Sequence, residues 1–200
     1  MNRAIGWIKA DPIGSEFADV ILSTDRLSAV GVAIGSDPVP YRLDYQLETT
    51  AGFVTSRLRV LAHGQGWSRS LDLRREPSGA WISEVETDGA LDLLEPGGAL
   101  GTIADSLDCD LGLSPLTNSM PMLRHQMLEP GPPVDFTMAL VSVPDLSVRW
   151  SRQRYTFVRR EGRHAIVRYA SVDDTFTAEL TVDADGIVLD YPGIGRALGL

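Results

Sequence analysis

Tyr41-Arg-Leu-Asp-Tyr-Gln-Leu-Glu48 alternates apolar and polar residues at every step. Successive side chains of a β-strand point to opposite faces, so this octet predicts a strand with one buried and one solvated face. The same two-residue period recurs at 134–140 and 176–182. Weaker alternation continues through further stretches, at 16–22, 28–34, 53–61, 67–74, 80–85, 105–111, 147–158 and 164–170. This pattern predicts a β-sheet protein along almost the whole chain.

Short turns separate the alternating stretches. Pro77-Ser-Gly79, Arg160-Glu-Gly-Arg163 and Asp183-Ala-Asp-Gly186 each place a glycine between two such runs. Glycine adopts positive φ readily, as tight hairpin turns require. The sequence thus predicts about twelve strands joined mainly by hairpins, hence a mainly antiparallel arrangement with little helix. No linker divides the chain, so residues 1–200 are expected to form a single domain.

A sheet of about twelve strands is not expected to stay flat. Each strand twists in a fixed hand, and large sheets curl, split or close as the twist accumulates. The expected architecture is therefore all-β, with one curled or rolled sheet around a single interior. A roll of this size can enclose more volume than its side chains fill, which would create a cavity for a ligand.

Composition and charge exclude several classes of partner. The 200 residues carry 18 basic and 27 acidic side chains, which gives a net charge of −9. Nucleic-acid binding needs Lys or Arg opposite the phosphates, so nucleic acid is not an expected partner. Adhesion to anionic lipid is disfavoured for the same reason. Hydrophobic residues make up 44% of the chain, which suffices for a proper core.

The chain shows no targeting, cofactor or metal-binding signature. No apolar run approaches the ~18 residues that span a bilayer, and the first residues lack the apolar core of a signal peptide, so we expect a cytoplasmic protein. Glycine motifs for phosphates or dinucleotides are absent, and His63, His125 and His164 are isolated from one another. Neither a cofactor nor a metal is therefore expected. Cys109 is the only cysteine, so no internal disulfide can form.

The stretch from Leu107 to Gly131 concentrates the chemistry. Asp108 and Asp110 flank Cys109 on a predicted strand, where their side chains share one face about 6.6 Å apart by strand rise. Two carboxylates at this spacing could act as general acid and base in glycoside cleavage. They could equally form a solvated acidic strip or pair with arginine. Cys109 is expected to be a buried core residue, because negative neighbours suppress the thiolate that a nucleophile needs.

Ser114-Pro-Leu-Thr-Asn-Ser-Met-Pro121 follows the acidic strand. Its two prolines predict that no regular helix forms between positions 115 and 121. Thr117 and Asn118 have short polar side chains that fold back readily onto nearby backbone. They either satisfy the amides of their own rigid loop or present a preformed rim to sugar hydroxyls.

The acidic strand followed by Ser114-Pro-x-Thr-Asn-x-x-Pro121 resembles a bacterial family named "putative glycolipid-binding", formerly a domain of unknown function. Gly186-Ile-Val-Leu-Asp-Tyr-Pro192 resembles the closing motif of that family. Further family-like positions extend the resemblance over almost the whole chain, at Trp7, Glu16, Gly31, Tyr41, Tyr45, Gln153 and Tyr155. The resemblance implies a spiral β-roll and a lipid or glycolipid ligand.

Arg124 marks a departure from the family pattern. The family usually shows two arginines after the second proline and one apolar residue, whereas here Leu123 takes the first of these places and Arg124 the second. This departure weakens any anion site built from both arginines. We therefore favour an internal ion pair of Arg124 with Asp108 or Asp110 over binding of a ligand phosphate or carboxylate.

Three functions remain open at this point. The first is non-catalytic binding of a lipid or glycolipid in a cavity of the rolled sheet, with the acyl chain inside and the polar head at a rim from Thr117 to Arg124. The second is an enzyme that acts on a sugar or phosphorylated small molecule through Asp108, Asp110 and Arg124. The third is a β scaffold or dimerisation module without a ligand. We favour the first, without catalysis, and its candidate ligand-binding residues are Asp108, Asp110, Thr117, Asn118, Arg124, Gln153, Tyr155 and Tyr191.

Overall fold

The computed structural model describes residues 1–172 and 176–199. Within them, fourteen strands form one sheet: β1 Asn2–Ala10, β2 Ile13–Leu22, β3 Leu27–Gly35, β4 Tyr41–Thr49, β5 Thr55–Gly64, β6 Trp67–Arg75, β7 Trp81–Gly89, β8 Asp108–Leu111, β9 Val134–Val141, β10 Val148–Glu161, β11 His164–Ser171, β12 Thr177–Val182, β13 Val188–Tyr191 and β14 Gly195–Ala197. The helical elements of the described chain are α1 (Ser119–Arg124) and 3₁₀ turns at Ala51–Phe53, Leu100–Ile103 and Leu116–Asn118. The all-β class with little helix is confirmed, with fourteen strands where about twelve were predicted.

The sheet consists of two meanders joined side by side. Strands β1 to β7 follow one another toward one edge, and strands β14 back to β9 follow one another toward the other. The seam between them is the antiparallel pair β1–β14, where Trp7 lies opposite Ala197. Strand β8 forms the second edge as a parallel partner of β9. The glycines of the three predicted turns, Gly79, Gly162 and Gly186, all have positive φ, which confirms the hairpins.

The sheet curls until its two edges approach each other. The Trp81 indole on edge strand β7 donates a hydrogen bond to the carbonyl oxygen of Ser106, 3.1 Å away. The Thr55 amide at the start of β5 donates to the carbonyl oxygen of Leu107 at 3.0 Å. Ser106 and Leu107 immediately precede β8, so the second edge meets the opposite half of the sheet. No strand ladder joins β7 to β8. The result is an open, curled sheet, as expected for a spiral β-roll.

Strand β4 confirms the alternation seen in the sequence. Its apolar residues Tyr41, Leu43, Tyr45 and Leu47 are buried, and the polar residues between them lie on the outer face. On the neighbouring strand β3, Gly31 lies against the Tyr45 ring, and a Cβ at that position would overlap with the ring. A strand glycine covered by an aromatic ring from the adjacent strand keeps the sheet densely packed where a side chain is missing.

A buried chain segment fills much of the interior of the curled sheet. Every residue from 114 to 122 is buried, and Leu116, Met120 and Met122 are fully inaccessible to solvent. Helix α1 begins at Ser119, so the prediction that no regular helix forms before Pro121 was wrong. Pro121 lies in the first turn of α1, where a missing N–H costs no intrahelical hydrogen bond. The roll is thus packed largely with its own side chains.

Candidate functional site

Asp108 and Arg124 form a buried ion pair. The Asp108 side chain is 1% exposed, and the Arg124 guanidinium donates to both of its carboxylate oxygens, one of them 2.8 Å from Nη1. Burial raises the pKa of Asp108, and the adjacent guanidinium opposes that rise. The favoured interpretation of Arg124 as an internal ion-pair partner is confirmed.

Asp110 lies two residues along β8 and has different partners. The Thr117 hydroxyl donates to Asp110 Oδ1 at 2.9 Å, and the Gln153 side-chain amide donates to Oδ2 at 2.6 Å. Burial raises the pKa of Asp110 above its ordinary value of 3.8, while these two hydrogen bonds pull it down. A strand, a 3₁₀ turn and strand β10 therefore meet at this carboxyl group.

Tyr155 extends the same network to Asn118. The Tyr155 hydroxyl lies 2.6 Å from Asn118 Oδ1 and 3.0 Å from Gln153 Oε1. The Asn118 amide nitrogen donates to the carbonyl oxygens of Ser114 and Pro115 at 3.3 and 3.4 Å. Five predicted site residues thus belong to one hydrogen-bonded cluster, which we call the polar network: Asp110, Thr117, Asn118, Gln153 and Tyr155.

A cavity of about 360 Å³ opens beside the polar network. Its polar lining residues include Asp110, Asn118 and Ser151, and its aromatic lining residues are Tyr169, Phe176 and Tyr191. The Tyr191 ring lies 5.7 Å from the Tyr169 ring and 6.3 Å from the Phe176 ring, centroid to centroid. Small-molecule sites typically measure about 300–1,000 Å³ and combine apolar walls with a few directed polar groups. This cavity fits that description at the small end.

Arg149 and Ser151 also line the cavity, and they were not predicted as site residues from the sequence. They lie on β10 at even spacing from Gln153 and Tyr155, so the four side chains share one face of the strand. Polar residues occupy both faces of β10, so its alternation could not show which face is inner. The available sequence signal for Arg149 and Ser151 was their even spacing from Gln153, a family-like position.

Asp108 and Arg124 do not border the cavity. Of the two acids on β8, only Asp110 is available to a ligand there. Glycoside cleavage needs both carboxyl groups to reach the scissile bond, one on each side. Asp108 is instead held by Arg124 and nearly inaccessible, so the described residues do not place the two acids around a common substrate.

A second buried polar cluster lies in the other half of the sheet. Lys9 Nζ lies 3.2 Å from Glu16 Oε2, and both side chains are at most 5% exposed. Glu16 Oε1 accepts hydrogen bonds from the Tyr45 hydroxyl at 2.8 Å and the Ser114 hydroxyl at 2.6 Å. Ser114 therefore connects this pair to the loop that carries Asn118. Glu16 and Tyr45 were family-like positions, whereas Lys9 was not predicted.

Cys109 is fully buried between the two acids, as predicted. Burial raises the pKa of its thiol to about 12, so it is a thiol at neutral pH and a poor nucleophile. Over residues 1–172 and 176–199, no cluster of three His, Cys, Asp or Glu side chains could hold a metal ion. No helix in those ranges is both long and apolar enough to cross a membrane.

The curled sheet, its buried central segment and the adjoining cavity define the class of protein: a spiral β-roll with one small polar and aromatic cavity beside its polar network. The model of the family described as "Putative glycolipid-binding" matches residues 4–197, and the chain belongs to that family. The chain is also similar to a DUF1089 family protein of known crystal structure from Pseudomonas aeruginosa. The two are 25% identical with a TM-score of 0.69, over 90% of this chain and 91% of that chain. No curated protein matches the chain significantly.

Proposed function

We propose that this protein binds an amphiphilic small molecule, a lipid or glycolipid, without catalysing a reaction, and that the polar head occupies the cavity beside the polar network. One observation carries the proposal: hydrogen-bonding groups and aromatic rings line the same small cavity. Asp110 and Asn118 can bond to sugar hydroxyls, while Phe176 and Tyr191 offer ring faces to the apolar face of a sugar. The family description supports the same ligand class.

The packed interior changes where the acyl chain is expected. Buried residues from Leu116 to Met122 occupy the space in which we expected the chain to lie. The cavity itself is small, so we place only the head inside it. Apolar residues Leu113 and Ile194 line the cavity as well, and we assign the first part of the acyl chain to them. Direct contact is thus proposed for Asp110, Asn118 and Tyr191, and a supporting role for Thr117, Gln153, Tyr155, Asp108 and Arg124.

Native mass spectrometry and lipid extraction of the purified protein test for a bound amphiphile. A titration with octyl glucoside then tests the site through Phe176→Ala, which removes a 39% exposed ring from the cavity wall. We expect a loss of affinity of about three- to tenfold, because one aromatic contact is removed. Phe17→Ala is the matched control, since Phe17 is 46% exposed on the outer face of β2. Absence of any bound amphiphile, or equal affinity in the two variants, would contradict the proposal.

The outer face of β2 and β3 favours a second candidate function, self-association of a β scaffold. Phe17, Ile21, Val30 and Ile34 are exposed there, and Asp19 is the only charged residue among the outward positions of these two strands. Two copies with a net charge of −9 could meet at this face without bringing many like charges together. Light scattering of the protein and of Val30→Lys tests it: a dimer that the variant dissociates supports this candidate, and a monomer at all concentrations excludes it.

The single-domain expectation remains a proposal for residues 1–200. It is supported by the pairing of β1 with β14, which makes one sheet of both meanders. Denaturant unfolding followed separately by tryptophan fluorescence and far-ultraviolet circular dichroism should give one coincident transition. Two resolved transitions would indicate two units.

A further inference from the structure

Arg149 lies on the row of the sheet that runs through the cavity. On β10 it pairs with Leu140 of β9, and Leu140 pairs with Asp110 of β8. Paired residues on adjacent strands point to the same face, and all three line the cavity. Two strand spacings, about 9.6 Å, separate the Cα atoms of Arg149 and Asp110. The guanidinium and the carboxyl group therefore border the same small space from one face of the sheet.

The guanidinium of Arg149 has no hydrogen bond or ion pair with any residue in 1–172 or 176–199. Three other arginines of the same strand are paired: Arg154 binds Asp135, Arg159 binds Glu179 and Arg160 binds Glu129. The Arg152 side chain also lacks a hydrogen-bond or ion-pair partner among the described residues, but it does not line the cavity. Arg149 acts on Asp110 only at longer range, where its positive charge lowers the pKa of that carboxyl group. An exposed arginine at a cavity thus keeps its five N–H donors available.

We propose that the head group bound in the cavity carries an anion next to its hydroxyls, and that Arg149 binds this anion. This inference rests on the proposed function and narrows its ligand class to phosphorylated, sulfated or carboxylated sugars and polyols. The planar guanidinium matches phosphate and carboxylate oxygens with two parallel hydrogen bonds. Asp110 and Asn118, which line the same cavity, form hydrogen bonds with the hydroxyl groups of the ligand.

The acidic character of the protein does not oppose this assignment. Its net charge of −9 is spread over the whole chain. Charges farther apart than about 8 Å are largely screened at physiological ionic strength, so distant acidic residues act only weakly on a ligand in the cavity. Among the described residues that line the cavity, Arg149 and Asp110 are the only ones with a basic side chain or a carboxyl group. A basic and an acidic side chain in one cavity fit a ligand that combines an anion with hydrogen-bond donors better than they fit an uncharged sugar.

Isothermal titration calorimetry of the full chain tests the inference with four probes. Octyl glucoside is the uncharged glycolipid, glucose 6-phosphate is an anionic sugar without a chain, dihexanoyl phosphatidylinositol is an anionic lipid with a polyol head, and inorganic phosphate is the anion alone. We expect at least one of the two anionic polyols to bind about tenfold or more tightly than octyl glucoside, because a charge-assisted hydrogen-bond pair is added. Comparison of those two probes shows whether the head comes from a lipid or from a free sugar phosphate.

Arg149→Gln should remove that advantage, so that the affinity for the anionic polyols falls about tenfold and the affinity for octyl glucoside falls much less. Arg152→Gln is the matched control, because Arg152 is an exposed arginine of the same strand on the opposite face. The inference is overturned if Arg149→Gln leaves anionic affinity unchanged, or if octyl glucoside binds as tightly as both anionic polyols. Inorganic phosphate binding as tightly as the anionic polyols would overturn the role given to the hydroxyls. If none of the four probes binds, the proposed function fails together with the inference.

Discussion

The two halves of the sheet use their inner faces differently. Strands β1 to β7 present a mainly apolar inner face, with Leu43, Leu58 and Leu73 each at most 1% exposed. Strand β10 of the other half turns Arg149, Ser151, Gln153 and Tyr155 inward. Apolar burial supplies stability without directed partners, whereas inward polar groups need specific ones. The inner face of the first half therefore contributes mainly apolar core packing, and the second half holds the candidate site.

Among the described residues, each half also contains one buried ion pair, and the two pairs differ in the hydrogen bonds that support them. Glu16, the partner of Lys9, accepts two further hydrogen bonds from Tyr45 and Ser114. Among the described residues, Arg124 is the only hydrogen-bond donor to the Asp108 carboxylate. Removal of the basic side chain should therefore lower the free energy of unfolding more in the second half than in the first.

The largest expected effect is the loss of Arg124. Arg124→Met should lower the free energy of unfolding by about 3–5 kcal/mol, because it leaves Asp108 buried without a counter-ion. Lys9→Met should cost less, since two hydroxyl groups still bond to Glu16. Urea unfolding of both variants measures the difference, and Arg154→Met, in an exposed pair with Asp135, should show no measurable change. Equal losses for Arg124→Met and Lys9→Met would remove the distinction between the halves.

A smaller effect is expected from the tyrosines of the two halves. Tyr155→Phe should cost about 1–3 kcal/mol, because Asn118 and Gln153 lose the hydroxyl that they bond in a fully buried position. Tyr41→Phe is the control in the first half, since the Tyr41 hydroxyl bonds to none of the described residues. Thermal unfolding of the two variants should separate them. A Tyr155→Phe variant as stable as Tyr41→Phe would show that the polar network contributes little.

The smallest effect is a pair of opposite pH dependences. Burial raises the pKa of Asp110, so its contribution to stability is present at low pH and is lost as pH rises through the folded-state pKa. The Arg57 hydrogen bond lowers the pKa of Asp72, so its contribution is present at neutral pH and is lost on acidification. As pH rises from about 3 to about 7, the stability of Asp110→Asn relative to wild type should thus increase. Over the same rise, the stability of Asp72→Asn relative to wild type should decrease. Chemical denaturation at several pH values measures both slopes, and parallel slopes would refute the assignment.

The sequence predicted those strands best that are half-buried and apolar on one face. Strand β4 is the clearest case, and its inner and outer residues were assigned correctly. Strand β1 was missed because Lys9 points inward, at a position where an apolar residue would have completed the alternation with Ile5 and Trp7. Strand β14 was missed because it has only three residues.

The candidate site was predictable in part. The loop motif located Thr117 and Asn118, and the family-like positions located Gln153 and Tyr155. The inner face of β10 was not predictable, because Arg149 and Arg152 stand on opposite faces and look alike in an alternation of polar residues. The cavity itself depends on how far the central segment fills the roll. That is a property of packing between residues distant in sequence, and no local pattern records it.

The scarcity of two reactive side chains has a practical consequence. The chain has one lysine, Lys9 in the seam strand β1, and one cysteine, Cys109 in the edge strand β8. Both are shielded, at 5% and 0% exposure. Acylating and alkylating reagents should therefore modify these positions only during transient opening. The rates of the two labelling reactions would report separately on the opening of the seam and on the opening of the edge, in the wild-type protein.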